Sequence, residues 1–351
     1  MSDPLHLPDS TTPELLPPTP APRRPSALKR VFVGPRGLRA GWKVFLFFLI
    51  FAALGFAFRP IVRLAGHPDL RGPIPPGIAL LNEILSVIAV FLPTWILARL
   101  IDRKPWGYFG IPWRNAFRST FWVGAAVGLG ALALQLEIMH LGGWFDFGRL
   151  QLQGVDVLKY GAIWGVMFLC TGFTEEGALR GYVLRVTTDG FSGMRGAWSF
   201  WAAALIFSLL FASGHLGNPG ENKFGIVMVF IDGMAMCFSL WRTGDLWWAI
   251  GNHAAWDWGQ TFLFGTPNSG FHGTHALMNP AFHGPLLLAG GTDGPEGSVL
   301  VLLSEAIFIV SIAILYRRRR FPLLSDAQPV SPGSLPEGDA ALPFDSPTSA
   351  A

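Results

Sequence analysis

Long apolar runs alternate along this chain with short stretches rich in proline, glycine and charge. A membrane-crossing helix needs about 20 mostly apolar residues. Eight segments approach that length, at roughly 42–64, 78–100, 118–140, 158–184, 198–214, 224–241, 245–264 and 297–316. Breakers separate them. Gly66, Pro68, Gly72, Pro73, Pro75 and Pro76 follow the first run, Pro105 and Pro112 the second, and Gly142 and Gly143 the third. A Gly-, His- and Pro-rich connector covers about 265–296. The pattern predicts an all-α, polytopic transmembrane helix bundle of about eight spans. Prolines from Pro4 to Pro25 oppose a stable helix in the first 40 residues, and the residues after about 321 are Pro-, Ser- and acid-rich, so both tails are expected to be disordered. The first apolar run begins too late and runs too long for a cleaved signal, and is expected to stay as an anchor.

Composition narrows the class. The chain is 51% hydrophobic but only 14% charged, against about 25% charged in ordinary soluble domains. That excludes a soluble enzyme. A net charge of +3 with no basic stripe argues against nucleic-acid binding. Cys170 and Cys237 both fall inside apolar runs and read as small buried hydrophobes, not as a disulfide. Lys and Arg crowd before the first run, between the second and third, between the fourth and fifth, and at Arg317 to Arg320. The other connectors hold few. By the positive-inside rule both termini are cytoplasmic, and the expected location is the cell membrane.

Ionisable groups inside membrane spans are costly and mark function by default. Glu175, Glu176 and Arg180 lie in the fourth run. Glu176 and Arg180 are four apart and share a helical face, in the favourable acid-before-base order. Glu175 sits about 100° round the helix and lacks that partner. Phe211 and His215 end the fifth run. His253 and Asp257, again four apart, lie on one face of the seventh. At ~1.5 Å per residue, Glu175 and His253 fall ~14 and ~12 Å from the cytoplasmic ends of their runs, but His215 falls ~25 Å away. His272, His275 and His283 in the long connector read as solvated. Asp245 is expected to cap the seventh span, and Asp232 has no role beyond a polar lining.

In that order, Glu-Glu-x-x-x-Arg, Phe-x-x-x-His and His-x-x-x-Asp resemble the motifs of the CPBP family, the type II CAAX prenyl endopeptidases and bacteriocin-processing, Abi-type membrane proteases. The resemblance covers about residues 158–264. It implies that Glu175 and His215 activate a water, that His253 and residue 257 stabilise an oxyanion, and that Glu176, Arg180 and Phe211 support them. The family motif allows Asn where this chain has Asp257. An ionised Asp cannot donate to an oxyanion, so it stays protonated, orients His253, or helps to hold a metal. His215, His253 and Glu175 would make a zinc set with an open water position. A metal-free water activated by Glu175 is the alternative. The organisation so implied is a cytoplasmic tail over 1–40, a three-span region over 41–157, a catalytic helix bundle over 158–264, an extracytoplasmic loop over 265–296, a last helix over 297–316 and a cytoplasmic tail over 317–351. The function implied is an intramembrane endopeptidase acting on a peptide or membrane-protein substrate, prenylated or not, with the lipid bilayer as its other partner. Intramembrane acids are also compatible with a non-catalytic immunity factor or scaffold. A proton-coupled transporter is less consistent, because no paired broken helices recur in two halves.

Overall fold

The computed structural model describes residues 26–65, 73–220 and 222–326. The proline-rich segment before residue 26, the end after residue 326, and Gly66, Pro68 and Gly72 lie outside the described residues.

The chain divides into two compact units, Met1–Arg39 and Ala40–Ala351. The described part of the first holds α1 (Ala27–Phe32) and the short strands β1 (Val33–Gly34) and β2 (Gly37–Leu38), paired antiparallel. The expectation of disorder up to residue 40 is therefore corrected for this stretch. The proline run stops at Pro25, and the Ser26 hydroxyl accepts from Lys29 N–H at 3.2 Å, which caps the helix.

The second unit is built from α2 (Ala40–Leu64), α3 (Pro76–Leu97), α4 (Ser119–Leu141), α5 (Val155–Glu176), α6 (Val183–Gly190), α7 (Trp198–His215), α8 (Lys223–Thr243), α9 (Trp247–Trp258), the single turn α10 (Leu286–Ala289) and α11 (Val301–Leu315). A π-helical turn, Gly177–Tyr182, joins α5 to α6, and another, Gly259–Phe264, extends α9. Every predicted span is helical. Six helices among the described residues are long and apolar enough to cross a membrane: Ala40–Leu64, Pro76–Asp102, Ser119–Leu141, Val155–Gly190, Trp198–His215 and Lys223–Thr243. The seventh and eighth segments fall short of that measure. Asn252, His253, Asp257 and Gln260 dilute the seventh. The turn Pro295–Gly297 delays the eighth, so that only 15 residues are helical.

The polar seventh segment is tolerated because protein surrounds it. Trp247, Trp248, Ala249 and Ile250 of α9 are fully buried. Outward faces are apolar instead, with Phe56 of α2 71% and Leu209 of α7 54% exposed, as lipid-facing side chains should be. Glycines bring α4 and α9 into backbone contact. A Cβ on Gly124 would stand 2.2 Å from the Trp248 carbonyl oxygen, one on Gly128 2.5 Å from that of Asn252, and one on Gly251 2.2 Å from that of Phe121.

The stretch after α9 is folded, not an open loop. Strand β4 (Met278–Phe282) pairs antiparallel with β3 (Phe145–Leu150), matching Phe145 to Phe282 and Leu150 to Met278. His283 and His275 are exposed, His283 facing Asp146 at 3.0 Å and His275 stacked on Tyr160. The start of the C-terminal tail is also ordered. Phe321 is buried against Phe200 and Trp241, and Arg185 donates to the Pro322 carbonyl at 2.6 Å. Lys43 pairs with Asp102, which accepts from the Tyr182 hydroxyl at 2.6 Å. The Tyr108 hydroxyl donates to Asp189 at 2.5 Å beneath the Arg185 guanidinium. Burial pushes the Tyr108 phenol up to about 12. Both cysteines are free.

Candidate active site

Each motif occupies a helix end or helix interior that aims it at one cavity of about 780 Å³. Glu175 and Glu176 close α5, just before the π-helical turn. Arg180 lies within that turn, where Gly181 departs from helical geometry (φ −81°, ψ −111°). His215 is the last residue of α7. His253 and Asp257 lie one turn apart on α9. Glu175, Phe211, His215, His253 and Asp257 all line the cavity. The greater depth expected for His215 does not part it from the others.

The two adjacent glutamates have different surroundings. Glu176 and Arg180 are fully buried and bonded at 3.1 Å, which bears out their expected pairing. Glu176 also accepts from His253 Nδ1–H at 3.0 Å, a contact that the spacing within one helix could not reveal. The Glu175 side chain is 33% exposed, and its carboxylate stands 3.5 Å from His253 Nε2. Glu175 thus lacks the in-helix partner that Glu176 has, and faces a histidine of another helix instead. Asp257 lies 3.4 Å from the same Nε2. His253 is therefore held among three carboxylates.

Phe211 joins the first motif to the second. Its ring lies under the Arg180 guanidinium at 4.3 Å and meets the His215 ring edge-on at 4.7 Å. The Phe211 carbonyl accepts from His215 Nδ1–H at 2.9 Å. In a neutral imidazole that bond leaves Nε2 as the basic nitrogen.

Residues 157–259 match the family model described as type II CAAX prenyl endopeptidase Rce1-like. This segment is thus similar to the CPBP family, whose motifs it carries. All seven motif residues lie inside the match, which at family level supports a CAAX-protease-like intramembrane endopeptidase. No curated protein and no solved structure matches the chain.

Outside the matched segment, three acids that the sequence reading passed over also line the cavity: Glu83 on α3, Glu296 in the turn before α11, and Glu305 on α11. Glu83 and Glu305 each carry the signal of an acid inside an apolar run, but neither has a partner at helical spacing. Asp232 on α8 lines the cavity too, and Asp245 accepts from Trp247 N–H at 3.2 Å, as its capping role required. The zinc set does not fit. Among the described residues no three His, Cys, Asp or Glu side chains form a group that could hold a metal. His253 already directs Nδ1 to Glu176 and Nε2 towards Glu175 and Asp257.

Proposed function

We propose that this protein hydrolyses peptide bonds within the membrane by means of a water activated by Glu175 and His215. The observation that carries the reading is that side chains from the ends of α5 and α7 and the middle of α9 line one cavity. Amide hydrolysis needs an activated water, a proton carrier and a partner for the oxyanion. Glu175 is the carboxylate of its pair that faces open space, and it takes the proton of the water. His215, with Nδ1–H committed to the Phe211 carbonyl, presents Nε2 as an acceptor that orients the same water. His253 supplies the donor for the oxyanion from Nε2, once the substrate carbonyl replaces a carboxylate there.

Asp257 orients His253 and does not itself bind the oxyanion. Its carboxyl oxygen lies 3.4 Å from Nε2, one helical turn away on α9. Glu176 holds the other face of the ring through Nδ1, and Arg180 neutralises Glu176. These steps need no metal, so cleavage by protein stripped with a chelator should match that of untreated protein.

The substrate is a peptide or a membrane-protein segment that reaches the cavity from the bilayer, a prenylated chain being the finer form of this reading. Glu175→Ala should abolish cleavage while the protein remains inserted and folded. Cleavage by purified Glu175→Ala at the native rate would remove the proposal. A phenotype that survives the loss of both Glu175 and His215 would favour a non-catalytic membrane factor instead.

A further inference from the structure

Besides Glu83, which accepts from Asn82 Nδ2–H at 3.2 Å, three acids of the cavity take no part in these steps: Asp232, Glu296 and Glu305. Glu296 is held as an acceptor by three donors. Trp256 Nε1–H reaches one oxygen at 3.3 Å, and the Ser269 N–H and hydroxyl reach the other at 2.9 and 3.0 Å. Such donors suit an ionised carboxylate. Glu305 is the opposite case. It is 5% exposed, and its Oε2 has no hydrogen-bond partner. An unpartnered buried carboxylate oxygen is costly, and Asp232 and Glu296 add charge repulsion at the same place.

Besides the acids, the cavity wall holds the imidazoles of His215, His253 and His272, of which His253 is already paired with Glu175, Glu176 and Asp257. Among the described lining residues the acids are Glu83, Glu175, Asp232, Asp257, Glu296 and Glu305, with no lysine or arginine. Arg180, buried behind the wall, is bonded to Glu176 at 3.1 Å. The acids do not form a metal-binding group either. Their complement is an organic cation that enters through the cavity. The stem of a long basic side chain can lie on Met228, Val301 and Phe308, which line the same space, with its charged head at the acids.

We propose that Asp232, Glu296 and Glu305 form a subsite for a lysine or arginine side chain of the substrate peptide. The subsite rests on the proteolytic reading of the cavity, and it adds a class of substrate to it. Asp232 comes from the matched segment, whereas Glu296, in the turn before α11, and Glu305, on α11, lie beyond it.

The test uses the full chain in lipid nanodiscs and a set of hydrophobic decapeptides that differ at one scanned position, occupied by Lys, Arg, norleucine or Glu. Binding is measured on Glu175→Ala by fluorescence anisotropy, and cleavage on the protein with Glu175 intact. At one scanned position the Lys or Arg peptide should bind about tenfold or more tightly than its norleucine twin. Adding Glu305→Gln should erase that preference with norleucine affinity retained, and Glu305→Lys should shift it to the Glu peptide. If Glu305→Gln fails to fold, Asp232→Asn should lower the preference in its place. Equal binding of Lys and norleucine peptides at every position, no measurable binding of any peptide, or a preference that survives these substitutions would overturn the subsite. Preference without cleavage would retain the subsite and remove the protease, and cleavage without preference would do the reverse.

Discussion

Glu175 and Glu176 are adjacent in sequence yet should respond very differently to mutation. Glu176 is fully buried between Arg180 and His253. Removing it strands a buried guanidinium, which costs about 3–5 kcal/mol in comparable cases. Glu176→Ala should therefore lower the unfolding temperature in nanodiscs sharply, whereas Glu175→Ala, on a partly exposed side chain, should leave it close to native. Equal unfolding temperatures for the two variants would contradict the assigned division between support and chemistry. Asp257→Asn tests the other departure at this scale. The amide keeps its size but replaces the carboxyl group that faces His253 Nε2 at 3.4 Å. The expected result is a fall in kcat with KM little changed, together with an altered pH profile. A rise in KM alone would assign Asp257 to substrate binding.

At the scale of elements, the contact of α4 with α9 fixes where His253 stands. Gly251 is two residues before it, and any side chain there would run into the Phe121 carbonyl oxygen. Gly251→Val should cost about 1–3 kcal/mol through overpacking. It should also lower kcat, read in the same cleavage and unfolding assays, because α9 must shift to make room. The network at Tyr108 offers a pH test away from the cavity. Its phenol is neutral in the fold up to about 12, against an ordinary value of 10.0. A raised acid of this kind contributes stability that is fully present below pH 10 and is lost as pH rises towards 12. The unfolding-temperature advantage of native protein over Tyr108→Phe should thus be constant near pH 8 and shrink above pH 10. The sequence made the helices themselves legible because each buries or exposes a long apolar run, and it made His253 and Asp257 legible because helical spacing is local. It could not pair β3 with β4, since Phe145 meets Phe282 only after the intervening helices have packed. Nor could it distinguish Glu176 from Glu175 by their contacts with His253, because those contacts join two helices.

For the whole molecule, a helix count and a charge distribution together determine which side each end faces. Six helices qualify as spans by length and composition, while α9 is wrapped in protein and α11 is short. Either count, six or eight, is even, so both termini should share one side of the membrane. The Arg and Lys clusters before α2, between α3 and α4, and at Arg317 to Arg320 point that side towards the cytoplasm. Pairing of β4 with β3, which follows α4 on the outer side, further requires that α9 and α11 both cross, so the segment from Gly265 to Gly297 should face outward, with His275 exposed on it. Single cysteines make the prediction measurable in a Cys170→Ser, Cys237→Ser background that still inserts. In intact cells a membrane-impermeant maleimide should label His275→Cys, and should label Ser2→Cys and Ser349→Cys only after the membrane is permeabilised. Labelling of Ser2→Cys but not Ser349→Cys in intact cells would require an odd number of crossings, and would place α9 or α11, but not both, fully across the bilayer. Labelling of both tails with protection of His275→Cys would invert the topology, and the cavity would then open to substrates from the opposite face.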